Sequence, residues 1–586
     1  MRFLGNVLAT IVGLFLFMMI FFFGILIIGA LFGGDSETVT VKSDSVIELD
    51  LENISNDYAG KYKDPLITLF SEGKNVGISD VIDAIKNAKE DSDIKGISIL
   101  NNHFMPGMAQ SKALRDALED FKKSGKFVVA YADYYTQKEY YMNSVADTIY
   151  LNPVGQMDFK GLSSELMFFK DLQEKSGVKM EVIRHGKYKS AVEPFLENKM
   201  SDANREQIST LLNSVWNSVA TDISKSRNIP VSQLNVIADG LLARTPEMAK
   251  SQKLVDKIGY EDEYHNGIRK ALKVKKDEDY NTVSIADYAF KYLTTGKKSS
   301  SKDKIAVIYA QGEITSGEGD VNYIGEGSMR RSLQEARKDK NVKAIVLRID
   351  SPGGSALTSE LIWREVELTK KVKPVVVSMG NYAASGGYYL ACNANKIFAE
   401  ENTITGSIGV FGMLPNFTTL TNRIGINVEQ VSTHKNAADY SPFVPLSDNM
   451  RNFTQESVEQ VYTTFVQRVA AGRKMTFEQV DAIAQGRVWA GSEAVKIGLV
   501  DKIGGLDAAL KEASALAKIK EYKTQNFPEY DKTFGEMFAG FPFAQTKENL
   551  IKEEIGEENY LILNEIKKMN AQTGIQTKMS FNINIK

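Results

Sequence analysis

A single cysteine in 586 residues, Cys392, leaves this chain no intrachain disulfide and no cysteine-built zinc or iron–sulfur site. Histidine is nearly as scarce. His103, His185, His265 and His434 are scattered, with no H-x3-H or HExxH spacing, which argues against a metal enzyme. If the chain is a hydrolase, its base has to be sought outside histidine. A surplus of basic charge is missing too: 71 Lys+Arg against 74 Asp+Glu give a net charge of −3, too little positive charge to neutralise nucleic-acid phosphates. No metal, cofactor or nucleic-acid partner is expected. With 43% hydrophobic and 25% charged residues, ordinary cores are expected and global disorder is not. At about 150 residues per domain, the length allows roughly four domain-sized units.

One long uncharged run is present. Val7 to Phe32 carries no charge over 26 residues. At about 1.5 Å per residue it is long enough to cross a ~30 Å hydrocarbon core with some tilt. Arg2 precedes it and Asp35 and Glu37 follow, which favours an N-terminus in the cytoplasm and a bulk domain outside. A cleaved secretory signal has an apolar region of about 7–15 residues before an A-x-A-like site. This run is longer, and no convincing small-x-small site follows it. Residues 1–35 therefore read as an uncleaved membrane anchor.

An internal repeat organises the rest. Asp93-Ile94-Lys95-Gly96-Ile97 resembles Asn341-Val342-Lys343-Ala344-Ile345, and Phe127-Val128-Val129 resembles Val375-Val376-Val377. Tyr140-Tyr141-Met142 matches Tyr388-Tyr389-Leu390, and Asp147-Thr148-Ile149-Tyr150 matches Asn395-Lys396-Ile397-Phe398. Each match has the same offset, 341 − 93 = 248. Residues 93–150 and 341–398 share 13 identities in 58 ungapped positions, so the constant register carries more weight than the identity. In the second copy, Ala344–Leu347, Val375–Val377 and Lys396–Ala399 read as buried strands, and Ser355–Lys371 has helical spacing. Alternating strands and helices imply βα units on a largely parallel sheet. The domains expected are 44–293 and 304–519, with the polar stretch Thr294–Lys304 as linker. Residues 520–586 are expected to form a tail with an amphipathic stretch near Ile551–Met569.

The copies differ where chemistry is expected. The second carries Ser351-Pro352-Gly353-Gly354 after its first strand and Ala383-Ala384-Ser385-Gly386-Gly387 after its second, followed by a helical run. That places Ser385 at a helix N-terminus, where unpaired N–H groups favour a developing negative charge. The Gly353-Gly354 turn can aim a further N–H at the same point, as an oxyanion hole requires. Taken singly, each glycine pair reads as a tight turn and Ser385 as a helix cap; their joint occurrence at two strand exits of one domain reads as a nucleophile site. In the first copy the equivalents of Ser385, Gly386, Gly387 and Gly353 are Gln137, Lys138, Glu139 and Met105, so that half lacks the nucleophile. It carries instead Tyr188-Lys189-Ser190-Ala191-Val192-Glu193-Pro194-Phe195, with Lys189 opposite Ala437 or Ala438 of the second copy. A solvated lysine is the ordinary alternative. The apolar flanks of Lys189 point to burial, which would draw its pKa down from about 10.4.

With these segments, Asp350 to Ser355, Ser378 to Gly387 and Thr405-Gly406-Ser407-Ile408-Gly409-Val410, the sequence resembles the long form of the signal peptide peptidase A (protease IV) family of membrane-bound serine proteases. The likeness spans the anchor and both repeats. It implies an α/β fold of tandem crotonase/Clp-like ββα-superhelix domains, with Ser385 as nucleophile and Lys189 as general base. Gly353 and Gly386 would lie at the oxyanion hole, and Ser407 would position the lysine. It further implies a homotetramer in the bacterial inner membrane, held by residues 7–32, with periplasmic catalytic domains that degrade signal peptides and other hydrophobic peptides. Short members keep serine and lysine in one domain, whereas Ala437 and Ala438 place this chain with the split arrangement. Asn381-Tyr382 departs from the small residues common in relatives and bears on the cleft rather than the dyad. Two rival readings remain: a crotonase-type acyl-thioester enzyme, and a non-catalytic membrane scaffold. Cys392 and the Lys122-Lys123 and Lys273, Lys275, Lys276 groups read as packing and solvated faces.

Overall fold

The computed structural model describes residues 10–23, 39–62, 76–101, 106–276, 278–295, 300–437, 440–530 and 574–579. Residues 10–23 form a helix inside the uncharged run. Among the described residues no helix is long and apolar enough to cross a membrane, and the remainder of the expected anchor lies outside them, as does the Ile551–Met569 stretch.

Two sheets carry the repeat, the first parallel throughout and the second parallel except for its antiparallel edge strand Val488–Ala490. The first orders its strands Lys257–Ile258, Thr148–Met157, Phe127–Tyr135, Ile94–Leu100, Ser45–Glu48 and Thr282–Ser284. The second runs through Ile404–Gly406, Val375–Ala384, Val342–Ser351, Lys304–Gln311 and Lys523–Phe527, with Lys396–Ala399 also paired to Val375–Ala384. Runs such as Ile345-Val346-Leu347 and Val375-Val376-Val377 are wholly buried because helices cover both faces. The duplication extends past the stretch legible in the sequence. Helices Ile78–Glu90 and Met108–Lys122 recur as Glu326–Lys338 and Ala356–Lys370, again shifted by 326 − 78 = 248. The 26-residue helix Asp202–Arg227 recurs as Asp448–Arg473, another 26 residues, at 448 − 202 = 246. Farther on, helix Glu261–Leu272 recurs as Leu506–Ala517, at 506 − 261 = 245, so the register drifts by only a few residues over these helices.

A third sheet joins the halves. Its order is Tyr323–Gly325, Glu313–Thr315, Gly353–Ser355, Gly574–Lys578, Val410–Asn416 and Lys179–His185, so one edge strand comes from the first half and the rest from the second half and the C-terminal segment. Residues beyond 519, expected as a tail, thus supply strands to three sheets: Lys523–Phe527, Glu529–Tyr530 and Gly574–Lys578. Their short polar sequences, KTQNF and GIQTK, carry no apolar run, because each joins edges that other strands already shape.

The halves are also pinned by buried polar contacts. Arg348 Nε meets Asp57 Oδ2 at 2.6 Å with the two side chains 6% and 2% exposed. The same guanidinium donates to Ser378 Oγ at 2.9 Å and to the Met379 carbonyl at 2.8 Å. Asn381 has a defined role here. Its Oδ1 accepts the N–H groups of Ala109 and Gln110, at 3.1 and 3.2 Å, at the start of helix Met108–Lys122, whose own N-cap is Gly107 and has no side chain.

Candidate active site

Strand Val375–Ala384 is buried along nearly its whole length and delivers Ser385. Its pairing with Val342–Ser351 breaks between Ile349↔Met379 and Ser351↔Ala383, leaving Gly380, Asn381 and Tyr382 opposite Asp350 alone. The Asp350 carboxylate fills the gap, accepting the Tyr382 N–H and the Asn381 amide, each at 2.9 Å. The bulge re-aims the end of the strand. Ser385 itself has φ 54° and ψ −113°, a conformation sparsely populated by residues with a side chain. It is held from both sides: its N–H donates to the Gly406 carbonyl, and its carbonyl accepts the Tyr389 N–H, both at 2.8 Å. Such over-determination keeps a strained serine in place at the head of helix Gly386–Ala391.

Lys189 arrives by strand register. Strand Lys179–His185 runs antiparallel to Val410–Asn416 with His185 opposite Val410. Four residues past His185 is Lys189, and three residues before Val410 is Ser407, so both leave the ladder at the same end. The lysine segment is then clamped. Gln207, from helix Asp202–Arg227, donates to the Tyr188 carbonyl at 3.2 Å and to Ser190 Oγ at 3.1 Å. Arg487 lies 4.9 Å from the Tyr188 ring and 4.4 Å from the Trp489 ring, tying this first-half segment to the second half. A Cβ at Gly486 would sit 2.7 Å from the Lys189 backbone, and one at Gly409 would sit 3.2 Å from Lys189 Cδ, so the stem lies in a channel that only glycines leave open.

Lys189, Ser385 and Ser407 are all 0% exposed. Lys189 Nζ lies 3.0 Å from Ser385 Oγ, 3.1 Å from Ser407 Oγ and 3.2 Å from the Ser407 carbonyl. Burial alone pulls its pKa well below the ordinary 10.5. A neutral amine has two N–H donors and one lone pair. The carbonyl of Ser407 can only accept, and Ser407 Oγ takes the second N–H, which turns the lone pair toward the Ser385 hydroxyl. An amine held in this way can accept the proton of that hydroxyl.

Gly353 and Gly386 lie side by side, a Cβ on Gly353 falling 2.8 Å from the Gly386 nitrogen. Gly353 has φ 98°, which a side chain would make costly. Its N–H faces Ser351 Oγ at 3.2 Å, so only Gly386 offers a donor without a local partner among the described contacts of this pair. Cys392 ends the helix after Ser385, fully buried with its thiol pushed up to about 12 by burial, and is packing. His185, His265 and His434 bond to Glu459, Tyr280 and Thr433, away from Ser385; His103 lies outside the described residues. In the first half, Gln137 occupies the serine's place and binds the backbone of Lys160 and Gly161, a loop-pinning role. The bulge-filling role of Asp350, the clamp of Gln207 and the Gly574–Lys578 strand went unnoticed in the sequence. Only Asp350, flanking the Ser351-Pro352-Gly353-Gly354 turn, carried a local signal.

A buried serine in contact with a buried lysine in a duplicated α/β fold suits a hydrolase of the serine peptidase class. Peptidase family S49 matches twice, at residues 120–275 and 367–520. Protease 4 of Haemophilus influenzae is 35% identical over 505 residues, covering 83% of this chain and 82% of that protein. Protease 4 of Salmonella typhi is 39% identical over 453 residues, covering 76% and 72%. The chloroplastic serine protease SPPA of Arabidopsis thaliana is 33% identical, covering 78% and 68%. Among solved structures, a ClpP1 mutant from Listeria monocytogenes matches 35% of this chain and 94% of its own at 15% identity and a TM-score of 0.24, too distant to argue from. The chain belongs to peptidase family S49, in the long form that carries the domain twice, and is a serine peptidase.

Proposed function

We propose that the chain is an endopeptidase working by a Ser385–Lys189 dyad through an acyl-enzyme. The observation that carries this reading is the 3.0 Å contact between Lys189 Nζ and Ser385 Oγ, made by a fully buried amine. Neutral Lys189 takes the hydroxyl proton as Ser385 Oγ bonds to the peptide carbonyl carbon. The resulting oxyanion is held by the Gly386 N–H and by the Gly353 N–H once it leaves Ser351 Oγ. The ammonium of Lys189 then gives its proton to the leaving nitrogen, the C–N bond breaks, and the acyl group stays on Ser385. Water, deprotonated by the same amine, attacks the ester, and proton return to Ser385 releases the acid.

Activity then requires the unprotonated amine, so kcat/KM rises with pH through the lowered lysine pKa and levels off above it. Peptide hydrolysis by the full chain tests the reading: Ser385→Ala and Lys189→Ala should each lose nearly all turnover, and full activity in either would sink it. The crotonase/Clp-like superhelical assembly, a homotetramer, a single-pass anchor through residues 7–32 and an extracytoplasmic site belong to the same proposal. The uncharged Val7–Phe32 run and the flanking charges support the anchor. Apolar peptides, signal-peptide remnants among them, are the substrates that suit such a location. A putative signal peptide peptidase SppA of Enterococcus faecium, 35% identical over 242 residues, points the same way.

A further inference from the structure

Side chains fasten the strand that ends in Ser385 where its ladder gives out. The Arg348 guanidinium donates to Ser378 Oγ and to the Met379 carbonyl, at 2.9 and 2.8 Å. Thr403 Oγ1 donates to the Gly380 carbonyl at 2.8 Å. Asp350 Oδ1 accepts the Tyr382 N–H and Asp350 Oδ2 accepts the Asn381 amide, each at 2.9 Å. Burial and the facing Asp57 push the Asp350 carboxyl up to about 6, so at neutral pH it has two accepting oxygens. The Asn381 amide faces two ways. Its Nδ2 serves Asp350, while its Oδ1 accepts the Ala109 and Gln110 N–H groups of the first half. Gln110 Nε2 then donates to Asp57 Oδ1 at 2.9 Å, and Arg348 Nε donates to Asp57 Oδ2 at 2.6 Å. The circuit starts and ends beside Ser385 and passes through the half that brings Lys189. It needs close approach at two points: a Cβ at Gly380 would lie 3.0 Å from Asp350 Cγ, and one at Gly107 would lie 2.3 Å from Asn381 Cγ.

The half without the serine is built differently. Counting back 248 positions from Arg348, Asp350, Ser378 and Asn381 gives Leu100, Asn102, Ala130 and Asp133. A leucine and an alanine cannot make the Arg348–Ser378 bond, yet the first-half sheet forms in the same order of strands. A sheet of this kind therefore does not need the circuit. What the second half has in addition is Ser385, held at φ 54° three residues past Tyr382. We infer that Asp350 is a positioning residue for Ser385: its carboxylate sets the bulge that aims the serine, and Asn381 makes that setting depend on the seating of the first half. This rests on the Ser385 reading above. It adds how the nucleophile is held, and it makes the serine competent only when the lysine-bearing half is docked.

Asp350→Asn keeps an oxygen for the Tyr382 N–H but turns an amide donor against the Asn381 donor. In the full chain, kcat for an apolar peptide should fall roughly 10- to 100-fold, since misplacing a reacting atom by about 1 Å costs on that order. KM should stay unchanged, because no contact to substrate is removed, and fluorophosphonate labelling of Ser385 should slow by a similar factor. Combining Asp350→Asn with Asn381→Asp sets one donor against one acceptor again with the polarity reversed. The new carboxylate at 381 still accepts the Ala109 and Gln110 N–H groups, so kcat and labelling should recover most of the loss. Asn381→Ala leaves Tyr382 bonded to Asp350 and cuts only the tie to the first half. Its kcat should fall about fivefold, the worth of one hydrogen bond. Urea midpoints report folding separately, and Asn381→Ala and the exchanged pair carry the test if Asp350→Asn alone does not fold. Unchanged kcat and labelling in Asp350→Asn or in Asn381→Ala, or an exchanged pair no better than Asp350→Asn, would overturn the inference. Absence of labelling at Ser385 in the parent chain, with peptide still hydrolysed, would instead overturn the Ser385 reading on which it stands.

Discussion

Ser407→Ala tests whether Lys189 is merely buried near Ser385 or is aimed at it. The substitution deletes the oxygen 3.1 Å from Nζ and leaves the Ser407 carbonyl at 3.2 Å and Ser385 Oγ at 3.0 Å. A neutral amine then has two N–H groups and one remaining dedicated acceptor. Either an N–H is orphaned in a site with no exposure, or it swings to Ser385 Oγ and turns the lone pair away from the proton it must take. A buried donor left unsatisfied costs about 1–3 kcal/mol. Borne in the transition state, that is roughly 5- to 150-fold in kcat/KM. The pH profile should move as well. A hydrogen bond to a charged donor is worth about 1 kcal/mol more than one to a neutral donor, so losing it penalises the ammonium more than the amine. The acid limb of kcat/KM should shift down by about 0.7 pH unit. Because Ser407 has φ 48°, Ser407→Gly is the control that removes the hydroxyl and relieves the backbone at once. If both variants keep full activity with an unmoved acid limb, or if the limb moves up, the aimed-base argument fails.

Three other substitutions follow from the same geometry. Between the lowered folded pKa of Lys189 and its ordinary 10.5, the unfolded chain binds a proton that the folded chain does not. Stability from this group therefore rises with pH through that window, by at most about 1.4 kcal/mol per pH unit, and is lost as pH falls. Urea midpoints at neutral and alkaline pH should show a smaller rise in Lys189→Met than in the parent chain. Arg348→Met leaves Asp57, 2% exposed, with only the Gln110 amide at 2.9 Å, and should cost about 3–5 kcal/mol in denaturant unfolding. Asn381→Ala uncaps helix Met108–Lys122 from across the halves; a loss of about 0.5–2 kcal/mol is expected, read from the same unfolding curves.

The duplication was legible because buried parallel strands demand continuous apolar runs, and two copies with one offset expose that demand twice. Val375-Val376-Val377 and its partner Phe127-Val128-Val129 could be read without coordinates. The glycines around Ser385 were legible for a similar local reason, since a backbone forced to φ 98° at Gly353 restricts the residue type at that position. The C-terminal strand was not. Gly574–Lys578 draws its place from two edges more than 160 positions away, and its own five residues hold no apolar pattern to betray it. Asn381 looked like an oddity of the cleft until its amide was found capping a helix of the other half.

By itself, the sequence determined an α/β duplication, the scarcity of histidine, and a serine in one copy facing a lysine in the other. Tertiary structure decided that the two meet within one chain, because the antiparallel register of Lys179–His185 against Val410–Asn416 sends Lys189 and Ser407 out of the ladder together. It also decided that the lysine amine is drawn well below its ordinary pKa. An amine's pKa depends on the water excluded from around it, and that exclusion is built by Gly409, Gly486 and Phe411, residues more than 200 positions from Lys189 in the chain.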